Sequence, residues 1–236
     1  MLDRAEFILT EVGRIRDELS SDQLKMKGHY RIAATHTLCS EFLTPIWMEI
    51  QKQHPDLTGT LHSLRSGEVL SRINANEVDL GFCFCPHSGP NHEQEIIHRG
   101  KLIFSFGKKY PFLQKRKMKE LGQYPAIAAQ AAQGIENCEK HPAFQKLKIK
   151  PKILNLFDSY DVAIRAIKSN MVWTLLPDFL AYSRRNEIET HLPRGWDAEY
   201  TIAAMWPKHL IKTQALDCII NKMKQRLKEI TMTSEK

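Results

Sequence analysis

A chain of 236 residues, 42% of them hydrophobic, is long enough for one large or two small domains and for a proper core. Its 34 basic and 27 acidic residues leave a net charge of +7 that is scattered, so it reads as an ordinary solvated surface rather than the footprint of a nucleic-acid groove. The five cysteines, Cys39, Cys83, Cys85, Cys138 and Cys218, are odd in number and mostly in apolar surroundings, which predicts reduced thiols in a cytoplasmic protein; no signal-peptide pattern is present, and no apolar run approaches the ~20 residues of a bilayer span.

In chain order, residues 1–26 read as a polar helix with an apolar seam. Met1, Ala5, Ile8, Val12, Ile15 and Leu19 alternate spacings of four and three, the pattern of a helix packed along a partner helix. A helix folded back on its own domain fits that pattern nearly as well. Residues 28–84 then read as strand, helix, strand, helix, strand. The run 29–34 is rich in strand formers, and Thr35, His36 and Thr37 follow where a helix should open. Over 38–53, Leu38, Phe42, Ile46 and Ile50, flanked by Leu43 and Trp47, make a wide apolar stripe at helical spacing. Pro55 ends it. A strand over 57–64, a helix opened by Ser66 and an apolar strand over 78–84 complete a right-handed βαβαβ unit with a parallel sheet. The accessible crevice of such a unit lies at the C-terminal ends of its strands, here near 35–37 and 65–66.

Residues 85–98 contain Pro86, Ser88, Gly89, Pro90 and Asn91, loop formers that mark the first crossing between two lobes, with a short strand over 95–98. Strands are expected over 102–106, 124–129, 153–157, 171–176 and 200–206, and helices over 138–147, 160–168, 177–183 and 213–230. The basic run over 114–119 reads as a solvated helix start. Asn170 is expected to take a left-handed turn. Residues 187–195 look like the return crossing. In the closing helix, Leu216, Ile219, Ile220, Met223, Leu227 and Ile230 share one core-packing face.

Several stretches together resemble the effector-binding domain of LysR-type transcriptional regulators. They are "RIAATHTL", "LTPIWMEIQKQHPDL" and "SGEVLSRINANEVDLGF" in the first lobe, then Lys109-Tyr110-Pro111-Phe112, Phe157-Asp158-Ser159 with Val162-Ala163-Ile164, Leu175-Leu176-Pro177 and Ala204-Met205-Trp206. Each is weak alone; their order and spacing over nearly the whole chain carry the likeness. "MLDRAEFILTEVGRIRDEL" is similar to the linker helix of those regulators, which tips residues 1–26 toward a dimerising linker. The resemblance implies an α/β fold of two Rossmann-like lobes, of the type II periplasmic-binding-protein kind, joined by two crossover strands. Lobe I would span 28–96 and 200–236, and lobe II 97–199. It also implies a ligand-sensing domain without its winged helix-turn-helix, so that DNA would be contacted only through that missing domain.

Among the chemistry that could carry another function, G-x-S-x-G, Walker A, G-x-G-x-x-G and H-E-x-x-H are all absent from the sequence. No spacing singles out a catalytic triad, and no enzyme is expected. Cys83, Cys85, His87 and His92 invite a zinc reading, because Cys-x-Cys on a strand sets both thiols on one face. The first pair lies in an apolar strand and no second close pair completes a set, so core thiols are preferred, with no metal and no cofactor. The rival readings are a solute-binding protein of the periplasmic type, which would need an export signal, and an oligomerisation module without ligand.

The expected effector contacts are Thr35, His36, Thr37, Arg65 and Ser66 in the first lobe and Gln130, Asp158 and Ser159 in the second. All follow strand C-terminal ends, where helix N-termini expose free N–H groups. Each hydroxyl taken singly is explained by helix capping; their convergence points to a small, anionic effector held between the lobes. The resemblance places effector-contacting Ser/Thr residues at Thr35, Thr37 and Ser66. A homodimer is expected, compatible with a tetramer in a longer protein. The surplus apolar width of 38–53 marks it as an interface, built from Leu38, Phe42, Leu43 and Trp47; the resemblance implies that these are set antiparallel against Val162 and Ala166 of the partner in a two-fold arrangement. No membrane partner is expected.

Overall fold

In the computed structural model the chain is described at residues 12, 26–84, 89–114, 117–129 and 142–232. Most of the expected seam helix, the Cys85 and His87 positions and the start of the helix expected over 138–147 lie outside the described residues. The chain divides into two units. The first takes residues 26–83, 89–97 and 203–225; the second takes residue 84 and residues 98–114, 117–129, 142–202 and 226–232.

The first unit opens with β1 (Gly28–Thr35), helix α1 (36–53), β2 (Leu57–Leu64), α2 (Ser66–Asn74) and β3 (Leu80–Phe84). β1 pairs in parallel with β2 from Gly28↔Leu57 to Thr35↔Leu64, and with β3 from Ile32↔Leu80 to Ala34↔Phe82. β1 therefore lies between β2 and β3, and its second half carries the small or branched residues Ile32, Ala33 and Ala34, which are fully buried. α2 lies on the sheet through Val69 and Ile73, which cluster with Ala33, Val78, Cys83, Ala203 and Met205. Gly81 permits that approach, since a Cβ there would stand 2.7 Å from Val69 Cγ1. Asp79 is buried but paired: Arg31 donates to it from its backbone N–H and its guanidinium, both at 2.8 Å, which offsets the cost of desolvating the charge. α2 stops at Asn74, and Asn76 takes φ 61°.

α1 is not a uniform α-helix. Residues 39–43 form a π turn in which Thr44 N–H bonds to Cys39 O, immediately before Pro45. Proline has no N–H to give, and its ring clashes with the carbonyl four residues back. The wider turn moves the ladder past that obstacle.

The remaining elements are β4 (His92–Gly107), β5 (Pro125–Ala129), α3 (Pro142–Leu147), β6 (Lys152–Phe157), α4 (Tyr160–Ile167), β7 (Trp173–Pro177), α5 (Asp178–Ser183), β8 (Ile188–His191), β9 (Glu199–Pro207) and α6 (Gln214–Met232). The second unit takes β5 to β8 with α3 to α5, β4 from His98 onward, β9 as far as Ile202 and α6 from Arg226; the rest of β4, β9 and α6 belongs to the first. The strand order in the second unit is β4-β7-β5-β6, with β8 also on β4. β4 and β7 run antiparallel, from Leu102↔Pro177 to Phe106↔Trp173, whereas β5 runs parallel to β6 and β7. The core is aromatic: the Phe104 ring centroid lies 4.6 Å from that of Trp196 and 5.6 Å from that of Trp173. The Trp196 indole N–H donates to Leu102 O at 2.6 Å, as a buried Trp must.

The strands expected over 95–98 and 102–106 are one strand of 16 residues, β4. Gly100 does not interrupt it, because β9 pairs beside it; Leu102 N–H bonds to Ala198 O at 2.9 Å. The stretch expected as the return crossing contains β8, which pairs with 104–107 of β4, and the chain passes back to the first unit within β9, between Ile202 and Ala203. Asn170 does take the left-handed turn, at φ 61°, and its amide oxygen accepts from Lys109 N–H at 2.8 Å.

Candidate functional site

Because β1 and β2 pair in register to their last residues, they end level with each other. Thr35 and Ser66 thus open two helices from neighbouring strand ends. Thr35 stands at the N-cap of α1 with extended backbone (φ −62°, ψ 150°), but its hydroxyl makes no capping bond. Ser66 lies one residue inside α2, behind Arg65 at the N-cap. Glu68 accepts from Arg65 N–H at 2.9 Å, and arginine, having no acceptor, cannot return the bond.

Two hydroxyls are left over. Thr35 Oγ1 and Ser66 Oγ are both buried, and neither has a hydrogen-bond partner among the described residues. A buried hydroxyl without a partner costs about 1–3 kcal/mol, so capping does not account for these two. Around them, Thr37 is 2% exposed, and His36 Nδ1 lies 2.8 Å from Ser63 Oγ. Burial pushes the Cys39 thiol up, only partly countered by hydrogen bonds with Thr44 and Ser63, so it is a neutral thiol. The first N–H groups of α1 and α2 have no partner within their helices, and each N-terminus carries a partial positive charge.

The other expected contacts fare differently. Ser159 caps α4, accepting from Asp161 N–H at 3.2 Å, so its hydroxyl is occupied. Asp158 is half-buried just before it. Arg65 is exposed. Gln130 lies outside the described residues. Ser63 and Cys39 were not expected at the site. Ser63 sits next to the strand end, where the same reasoning that selected Arg65 and Ser66 could have found it; Cys39 reaches Ser63 from the end of the first turn of α1.

Of the residues expected at a dimer interface, Leu38, Phe42, Leu43 and Trp47 are each at most 3% exposed. They are used by the chain's own core, and Trp47 covers Gly59, where a Cβ would stand 2.6 Å from its ring. α1 shows outward Ser40, Thr44, Pro45 and Met48, the last 60% exposed. On α4, Val162 is 40% exposed and Ala166 is half-buried. No group of three or more His, Cys, Asp or Glu able to hold a metal occurs among the described residues. No described helix is long and apolar enough to cross a membrane.

A second polar centre, unexpected from the sequence, lies in the other unit. Asp178 is 9% exposed. Its carboxylate accepts from Lys101 N–H at 2.8 Å, from Phe179 N–H at 2.7 Å and from the Tyr200 hydroxyl at 2.5 Å. His98 Nε2 stands 3.7 Å from its Oδ1 and 3.1 Å from the Tyr200 hydroxyl. Burial pushes this carboxyl up, but the bonds from His98, Tyr200 and the two backbone N–H groups outweigh it and leave it below the usual range. Burial and the adjacent carboxylate push the Tyr200 hydroxyl well above its ordinary value.

Comparison with known proteins gives one family match: residues 25–228 fit the model described as the LysR substrate binding domain. Solved structures with the same fold include the effector binding domain of QuiR in complex with shikimate (TM-score 0.68, 12% identity, 86% of this chain and 99% of that one). The cofactor-binding domain of the Cbl transcriptional regulator is similar at TM-score 0.72 and 15% identity, over 91% of this chain and 98% of that one. HinK, a LysR family transcriptional regulator from Pseudomonas aeruginosa, is similar at TM-score 0.71 and 14% identity, over 95% of this chain and 78% of that one. The fold common to these domains is the type II periplasmic-binding-protein kind.

Proposed function

This chain belongs to the LysR substrate binding domain family, the ligand-sensing part of transcriptional regulators, and we propose that it senses a small anionic effector at the level ends of β1 and β2. The observation that carries the reading is the pair of buried hydroxyls, Thr35 Oγ1 and Ser66 Oγ, with no partner among the described residues. An acceptor placed against both would satisfy them. Charge favours an anion there: two helix N-termini each contribute roughly 0.3–1 kcal/mol to a bound negative charge, more when partly buried. Shikimate, present in the QuiR complex, is a carboxylate of this general kind. Thr37 and His36 complete the wall of the site, and Arg65 stands at its rim, able to add a charge-assisted bond. Asp158 and Ser159 belong to the other unit, where Ser159 is committed to capping its own helix, and the site proposed here does not use them.

The family is one of regulators rather than enzymes, and the sensor works in the cytoplasm, where regulators meet DNA. It works as a homodimer in which α1 faces α4 of a second copy; exposed Met48 and Val162 support that contact. Effector binding favours one arrangement of the chain, and that preference is what a regulator transmits.

A thermal-shift screen over carboxylates, amino acids and inorganic anions tests the assignment. A ligand at about 100 times its dissociation constant stabilises the fold by ~2.7 kcal/mol, a rise of several degrees for a chain of this length. The rise is expected to vanish in Thr35→Val and to shrink in Ser66→Ala. A ligand that stabilises wild type and both variants equally does not sit at this site.

A further inference from the structure

The Asp178 centre borders a cavity of about 420 Å³ lying within the second unit. Four of its lining residues are charged: Arg99 and Lys101 on β4, Asp178 at the start of α5 and Glu199 at the start of β9. Ile103, Leu192 and the Tyr182 ring supply apolar wall. The charges are not spent on one another. Among the described residues the side chains of Arg99, Lys101 and Glu199 make no ion pair, and no lysine or arginine side chain pairs with Asp178, which is served by backbone N–H groups, Tyr200 and His98.

This lining constrains what fits. A simple anion would meet Arg99 and Lys101 but also two carboxylates. A simple cation would meet Asp178 and Glu199 but also two basic side chains. A ligand bearing one charge of each sign leaves neither pair opposed. The apolar wall then calls for a hydrocarbon side chain, and the volume suits a molecule of amino-acid size. The Asp178 carboxylate is fixed for such a role. A Cβ on Gly100 would lie 2.5 Å from the Tyr200 hydroxyl and 2.6 Å from Asp178 Oδ1, so this glycine is what lets β4 close on the carboxylate and hold it still.

We propose that this cavity is a second ligand site, separate from the Thr35–Ser66 site, that takes a zwitterionic α-amino acid with an apolar side chain. The ammonium group lies toward Asp178 and Glu199, the carboxylate toward Arg99 and Lys101, and the side chain along Ile103, Leu192 and Tyr182.

Isothermal titration of the whole chain with L-leucine and L-phenylalanine tests it, with L-leucinamide (ammonium only) and 4-methylpentanoate (carboxylate only) as comparisons. At least one of the two amino acids is expected to bind saturably at one site. L-leucine should bind at least about tenfold more tightly than either comparison compound, about 1.4 kcal/mol. Arg99→Gln and Glu199→Gln change exposed side chains, so they leave the fold intact, and each should weaken binding by a similar factor. Thr35→Val should leave it unchanged. The proposal is overturned if neither amino acid binds, or if either comparison compound binds as well as L-leucine. It is equally overturned if both Gln variants keep wild-type affinity, or if Thr35→Val abolishes binding, which would put the ligand at the other site.

Discussion

Thr35 and Ser66 each bury a hydroxyl that no described residue answers, a cost that an acceptor bound at the proposed site would relieve. Thr35→Val keeps the shape and removes the hydroxyl. It is expected to raise the stability of the unliganded chain by about 1 kcal/mol, seen as a higher urea midpoint, while abolishing the response to effector. A variant that is both destabilised and still responsive would mean the hydroxyl is satisfied in the free protein. Asp178 makes the opposite case, a buried group whose charge is already met by hydrogen bonds from its own chain. Its native pKa lies below the ordinary range, so it contributes stability that is present above the unfolded value of about 3.9 and lost as pH falls through the lower native value. Asp178→Asn should therefore cost about 1–3 kcal/mol at pH 7. The gap to wild type should narrow steadily as urea melts are repeated from about pH 5 down to pH 3. A gap independent of pH would show that the carboxylate's charge does not matter there.

At the scale of elements, the seating of α2 decides where Ser66 stands. A Cβ on Gly81 would come within 2.7 Å of Val69 Cγ1 and 3.2 Å of Ile73, both branched and fully buried. Gly81→Ala should accordingly destabilise by about 1–3 kcal/mol, read as a lower urea midpoint; an unchanged midpoint would mean that α2 rides loosely on β3. Periodicity made most of the elements legible. The wide stripe of Leu38, Phe42, Ile46 and Ile50 is the buried face of α1, and 57–64 is the strand β2. What periodicity cannot show is how a ladder answers an obstacle. The π turn before Pro45 was hidden because both helix types bury much the same stripe. The unbroken β4 was hidden because residues 99–101, a glycine between two charged residues, carry no strand signal of their own until β9 is known to pair beside them. The surplus apolar width of α1, taken as interface, is instead covered by β2 and the unit's own core.

For the molecule as a whole, the order of weak motifs along the chain made the family legible, since the βαβαβ pattern at 28–84 fixes which strand ends are neighbours. Strand order thereby brought Thr35 and Ser66 together on paper. It could not say which hydroxyls are occupied, because capping and ligand binding demand the same residue types at the same places; Ser159 caps, whereas Thr35 and Ser66 do not. Dimerisation is checked by light scattering at micromolar concentration, where about twice the 27.3 kDa chain mass is expected. Met48→Glu should shift it toward the monomer, and a monomeric wild type would remove the α1–α4 contact from the account. The central claim is tested most directly by solving the chain together with the carboxylate that stabilises it best in the thermal screen. The expected result is ligand oxygens about 2.5–3.0 Å from Thr35 Oγ1 and Ser66 Oγ. A ligand bound elsewhere, with both hydroxyls still without a partner, would contradict it.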